Sequence, residues 1–231
     1  MPDAPRRPRA AAAVPTGLDL ADPPATLHVT PFVWQAGRPI YRIHLARFAA
    51  GTFNPGSKGN ARFSPISNPQ GRPIPTLYGG SDFDCAAMET VFHDVPFAPG
   101  FKNYDKRKLI GQTHSVLVPG AALALADLSN VALRKLGVPR ARLIDTDKDS
   151  YPTTRKWATA IHRRHPRLQG MVWMSRQDDR AQALMLFGDR VRAGLLAPQA
   201  ASRDLVDGTG VMLELLALAD LIGVSVVAGR G

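Results

Sequence analysis

Apolar and polar residues alternate along several short stretches of this chain, while helical spacing is confined to four. IYRIHL, Ile40–Leu45, alternates as a strand, with Arg42 and His44 on one face and Tyr41, Ile43 and Leu45 on the other. TLYGG, Thr76–Gly80, is a brief strand that stops at paired glycines. Leu109–Val118 and Ala122–Leu128 continue the strand series. MVWMS, which follows Gly170 and ends at Ser175, and ALMLFG from Ala183 flank the polar turn RQDDR. Asp82 or Ser81 can cap a helix over Asp82–His93, whose apolar stripe is Phe83, Ala86, Ala87 and Val91. Glu89 lies roughly 200° around that helix from Ala87 and from Val91, off the stripe. Val131–Leu136 is a short helix ended by Gly137. Pro152 fits the first turn of a helix running to His165, with Trp157 and Ile161 facing inward. Asp207–Ala219 forms the last helix, before a closing strand at Val224–Val227.

Between these elements, Gly51–Pro75 carries Pro55, Pro65, Pro69, Pro73 and Pro75 and predicts a long, constrained loop with little regular structure. Loops longer than about 12–15 residues in a compact domain are usually functional or disordered, and five prolines argue against free flexibility here. Residues 1–25, rich in Pro, Ala and Arg without periodicity, predict a disordered tail, and order begins near Leu27. No internal repeat is visible. The mixed order of elements predicts a single α+β domain over residues 26–231, with mixed sheets and flanking helices.

Composition narrows the functional classes. The 231 residues suffice for one substantial core, and the single cysteine, Cys85, excludes an internal disulfide and a thiolate metal cluster. Val211–Val227 is interrupted by Glu214 and Asp220, so no membrane span is expected. The apolar run Ala10–Val14 is shorter than a signal-peptide core, and the expected compartment is the cytoplasm. A net charge of +10 favours an anionic partner. Aromatics at 7% offer few stacking platforms and no nucleic-acid motif accompanies the basic groups, so the charge is read as solubility plus phosphate attraction.

Candidate chemistry is concentrated between Gly59 and Glu89. Arg62 sits in a Gly/Asn/Ser-lined loop where its planar fork could grip phosphate oxygens, or where it could merely pair with a carboxylate. Tyr78 closes a strand and Glu89 rides the following helix, a corner that can bring both into one cleft. Each also has a plain reading, as a core-edge tyrosine and a solvated glutamate. A cleft carboxylate can steady an oxocarbenium-like transition state. Ser175 ends a strand beside a polar turn and reads either as a turn serine or as a substrate hydrogen-bonding one; no G-x-S-x-G elbow supports it as a nucleophile. His93 falls four residues after Glu89, but H-E-x-x-H is absent and no third ligand presents itself, so no metal is expected. Neither G-x-x-x-x-G-K-[ST] nor G-x-G-x-x-G occurs.

Taken in order, YRI at Tyr41–Ile43, GNARFSP at Gly59–Pro65, TLYGG at Thr76–Gly80, AAMETVFHDVP at Ala86–Pro96 and VWMSRQDDRAQALMLFGDR at Val172–Arg190 resemble the RES domain family, named for an arginine, a glutamate and a serine. The resemblance spans about Ile40–Arg190. It departs from the family pattern where Asn60-Ala61-Arg62-Phe63 replaces a glycine pair followed by Arg-Trp, and in a longer loop before Tyr78. It implies a fold similar to the ADP-ribosyltransferase toxins and a bacterial toxin that degrades NAD, with phosphate or water as acceptor and a cognate antitoxin as partner. On this basis Arg62 and Glu89 are the catalytic residues, and Arg42, Tyr78 and Ser175 bind substrate. NAD is then substrate rather than cofactor, no metal is needed, and a homo-oligomer stays open. Two other readings remain: mono-ADP-ribosylation of a protein, and a non-catalytic basic module for nucleic acid or another partner.

Overall fold

The computed structural model describes residues 20–207 and 210–229. Its strands are β1 (Thr30–Trp34), β2 (Ile40–Leu45), β3 (Ile66–Ser67), β4 (Pro73–Ile74) and β5 (Thr76–Gly80), followed by helix α1 (Phe83–Thr90). Then come β6 (Lys102–Asp105), β7 (Gln112–Pro119), β8 (Leu123–Asp127), α2 (Asn130–Leu136), α3 (Arg140–Leu143) and α4 (Tyr151–Arg164). The chain finishes with β9 (Gly170–Met174), β10 (Gln182–Phe187), β11 (Leu196–Pro198), β12 (Arg203–Asp204), α5 (Gly210–Leu221) and β13 (Val224–Val227).

Strand β10 shows how the main sheet is used. Ala183, Met185 and Phe187 point to one side and Leu184 and Leu186 to the other, and all five are buried. On the first side they meet Trp157, Ala158 and Ile161 of α4, with Phe63 from the long loop. On the second they meet Trp34, Ile40, Leu77, Leu117, Leu123 and Leu125, all from strands, with Ala50, Val191 and Leu195 from loops. No helix contributes to that second cluster among the described residues, so the sheet curls over its own apolar face. A third cluster joins α1 to α5, with Ala86, Ala87 and Phe83 against Val211, Leu215 and Leu218.

The sheet runs β1-β8-β9-β10-β5-β2-β7-β11, with β12 also paired to β7. Only β8 and β9 are parallel within it, joined by the crossover through α2, α3 and α4. The two halves meet at β2 and β5. Strand β2 pairs with β7 along its whole length, Ile40 opposite Leu117 to Leu45 opposite Gln112. Against β5 it keeps a single registered pair, Tyr41 with Gly80. The fold is thus the mixed α+β domain expected from the order of elements, with a curled sheet and flanking helices. No helix among the described residues is long and apolar enough to cross a membrane.

Several boundaries differ from the sequence expectation. Helix α1 is capped by Asp82, whose carboxylate accepts from the Cys85 amide, but it ends at Thr90 rather than His93. Both Val91 and Phe92 donate to the Ala87 carbonyl, and Phe92 turns into the core. The strand expected from Leu109 starts at Gln112, because Leu109 belongs to a 3-10 turn and Gly111 adopts a φ of 74°. The Gly51–Pro75 loop contains the small hairpin β3–β4, closed by Asn68, whose side chain accepts from the Gln70 and Arg72 amides. The expected disordered tail falls largely on residues 1–19, outside the described residues. Its last part is docked on α4: the Ala21 carbonyl accepts from Trp157 Nε1 at 2.9 Å, Asp22 pairs with Lys156 at 2.7 Å, and the Pro24 carbonyl accepts from Arg164.

Candidate active site

Where β2 and β5 part, a cavity of about 460 Å³ opens, within the size range of small-molecule sites. Arg42 of β2, Tyr78 of β5, Arg62 of the long loop and Glu89 of α1 all line it. The four residues therefore share one crevice, although they come from four separate segments.

The paired glycines explain how α1 reaches the cavity. A Cβ on Gly79 would lie 2.5 Å from Ile40 Cγ2, and one on Gly80 would lie 2.8 Å from both Cβ and Sγ of Cys85. Neither glycine has a positive φ, so what they supply is room. Gly79 lets β2 close on β5, and Gly80 lets the first turn of α1 sit against the strand. Glu89 then falls at the end of α1 nearest the cavity, off the buried stripe as the helical spacing indicated.

Arg62 is buried and firmly anchored. Its Nη1 donates to the Ile144 carbonyl, to the Thr146 carbonyl at 3.2 Å and to Thr146 Oγ1 at 3.0 Å. Its Cζ lies 5.4 Å from the centre of the Tyr151 ring. Among the described residues Nε and Nη2 form no hydrogen bond, which leaves three N–H donors on two nitrogens for a ligand. The loop itself is fixed from outside: Thr154 donates to the Arg62 carbonyl, and Arg155 donates to the Ala61 carbonyl at 3.1 Å and to the Asn60 side chain. Burial lowers the Arg62 pKa, and nearby Tyr151 and Glu89 oppose that shift. Arg42 donates to the carbonyls of Ala50 at 2.6 Å and Thr52 at 3.1 Å, while its Nε is buried without a partner. Burial lowers its pKa to about 10, so it too is cationic at neutral pH.

The Tyr78 ring packs edge-on to Trp173, and its hydroxyl accepts from the Phe63 amide at 3.3 Å. Burial raises its pKa to about 12, partly offset by bonds to Ser64 and Phe63. It is a neutral, oriented ring at any physiological pH. Its contact with Phe63 ties it to the residue after Arg62.

Ser175, expected to bind substrate, lies behind the cavity rather than in its lining, and it is fully buried. Its Oγ donates to Glu89 Oε1 at 2.6 Å and accepts from the Gln177 and Asp178 amides at 3.0 Å each. One donor and two acceptor sites are the full capacity of a hydroxyl, so nothing remains for substrate. It holds one oxygen of the Glu89 carboxylate, and among the described residues no basic side chain pairs with that carboxylate. The geometry thus unites Arg42, Arg62, Tyr78 and Glu89 at the cavity and sets Ser175 behind Glu89.

Sequence reasoning missed Lys58, Asp94, Lys148, Tyr151 and Trp173 as cavity residues. Lys58 was the most accessible of these, since it shares the Arg62 loop. Nothing in the pattern marked Lys148 or Tyr151, which arrive from the 3-10 turn before α4 and from its first residue. His93 lines the cavity but faces Asp94, with Nδ1 at 2.8 Å from Oδ1. No group of three or more potential ligands for a metal ion is found among the described residues.

A comparison with curated proteins finds no match. The RES domain family model matches residues 39–207, a span that takes in Arg42, Arg62, Tyr78, Glu89 and Ser175 together with the strands and helices that carry them. This chain belongs to the RES domain family.

Proposed function

We propose that the chain cleaves the nicotinamide–ribose bond of NAD and passes the ADP-ribosyl group to phosphate or water. One observation carries this reading: an anchored guanidinium and an oriented carboxylate line the same cavity, and among the described residues the first keeps three N–H donors unused and the second has no cationic partner. NAD presents the complementary groups, an anionic pyrophosphate and a ribose carbon that becomes cationic as the pyridine leaves. The C1–N bond breaks with its electron pair going to the ring nitrogen, so the positively charged ring departs as neutral nicotinamide. A phosphate or water oxygen then bonds to C1, and its proton passes to solvent. Glu89 stabilises the developing positive charge or holds the ribose hydroxyls. Arg62 and Arg42 bind pyrophosphate or the attacking phosphate, and Tyr78 packs against the flat ring or the ribose. Ser175 fixes the carboxylate before substrate arrives, which is where preorganised electrostatics gain their effect.

Incubating the purified chain with NAD, with and without phosphate, and identifying the products tests the reading. Nicotinamide plus ADP-ribose, or its 1-phosphate, is the expected outcome; intact NAD under both conditions contradicts it. Label transferred to a macromolecule would instead identify a protein ADP-ribosyltransferase. Glu89→Gln is expected to fold normally and to lose about 10²–10³ in kcat, the usual cost of removing one preorganised group that meets developing charge. The same reading makes the chain the toxin of a toxin–antitoxin pair, since draining NAD arrests growth. Expression of the parent but not of Glu89→Gln should then be toxic, and a cognate antitoxin should relieve it.

A further inference from the structure

Two opposite charges face each other at the cavity. Asp94 follows the end of α1, and Lys148 opens the 3-10 turn before α4; both line the cavity. Lys148 Nζ lies 2.9 Å and 3.2 Å from the two oxygens of Asp94. Asp94 is held on its own side by His93, and Gln177 Nε2 in turn donates to the His93 carbonyl at 3.1 Å. Lys148, by contrast, hydrogen-bonds through Nζ to Asp94 alone among the described residues. It also belongs to the segment that anchors Arg62, two residues beyond Thr146. One stretch of chain therefore anchors a buried guanidinium and presents an exposed ammonium at the same cavity.

The pair is wet, with side-chain exposures of 75% for Asp94 and 52% for Lys148. Exposed ion pairs of this kind shift an equilibrium by no more than about fivefold. A lone carboxylate holds such a lysine loosely, and an anion bearing two or more charges competes with it. We propose that Lys148 is a substrate-binding residue kept in reserve: it is bridged to Asp94 until an anionic phosphate or pyrophosphate group enters, and then transfers to that group. On the NAD reading, which this inference deepens, the incoming group is the dinucleotide's pyrophosphate.

The alternative is a plain surface staple between the end of α1 and the start of α4, and the two roles differ in sign. Titration calorimetry of the full chain with inorganic pyrophosphate at low salt separates them. Lys148→Met should weaken binding about tenfold, the value of a lost charge-assisted bond. Asp94→Asn should tighten it about two- to fivefold by releasing the lysine. The double variant should behave as Lys148→Met. Weaker binding in both single variants, an effect under about twofold in both, or no pyrophosphate binding by the parent would each overturn the proposal. NAD turnover is measured in parallel on the parent and on both single variants. Its absence beside the expected pyrophosphate pattern would sink the NAD reading and leave the reserve lysine standing. Turnover with KM unmoved in both single variants would do the reverse.

Discussion

Ser175 and Glu89 lie 86 positions apart in the sequence and 2.6 Å apart in the fold. That distance is why the serine's place was illegible in the chain, while the meeting of Arg62, Tyr78 and Glu89 at one crevice was partly legible. A strand-end serine beside a polar turn looks the same whether it meets substrate or a neighbouring carboxylate. Only packing decides, and here it seats Ser175 behind the cavity wall. Ser175→Ala should therefore lower kcat for NAD by roughly 10–100-fold while KM moves little, because the carboxylate stays present but loses its fixed direction. The Gln177 and Asp178 amides also lose their acceptor in that variant, so a destabilisation of about 1–3 kcal/mol is expected by chemical denaturation. A kcat equal to that of the parent would remove Ser175 from the mechanism.

The elements found from the sequence were those whose local chemistry matched their final place. Strand β2 was legible from its alternation, α1 from its cap and stripe, and α2 from a stop at Gly137, which takes a φ of 80°. Those missed owe their form to distant partners. Strand β1 carries Pro31, tolerated because it lies at the sheet edge, and pairs with β8 some 90 residues later. Strand β6, KNYD, is polar and is defined only by its parallel pairing with β13 near the C-terminal end. The paired glycines of β5 were visible as a stop, but the reason for them was not. Gly80→Ala would press a methyl group against Cys85 and push α1, and Glu89 with it, away from the strand. Overpacking of this kind costs about 1–3 kcal/mol, and activity should fall further than stability. Activity surviving with a parent-like melting curve would mean that the corner is slack.

Across the molecule, three buried histidines set how it meets acid. His114, His44 and His162 all have pKa values lowered first of all by burial, and that of His114 falls to about 4, with Arg203 and His44 adding to the effect. In the unfolded chain a histidine titrates near 6.5, so below that pH the unfolded state binds the extra proton and the folded state does not. The contribution is present above about pH 6.5 and is lost as pH falls through about 4. For His114 alone it is about 3 kcal/mol. Thermal melts should decline over that window, and His114→Phe should flatten the decline; an unchanged acid limb would place the cause elsewhere. The net charge of +10 announced an anion-seeking surface without saying where the anion goes. The fold gathers four cations, Arg42, Lys58, Arg62 and Lys148, at one cavity, while others, such as Lys156 and Arg164, are engaged in docking residues 20–25.

The lone Tyr41–Gly80 rung is the narrowest pairing in the main sheet among the described residues, and it lies beside the cavity. A molecule lying between Arg42 and Tyr78 would act as a cross-tie, linking two halves that the main chain barely joins. Amide exchange in β2 and β5 should then slow on saturation with ADP-ribose, while β9 and β10, already fully laddered, keep their pace. Equal slowing everywhere would point to general tightening, with no seam at the crevice.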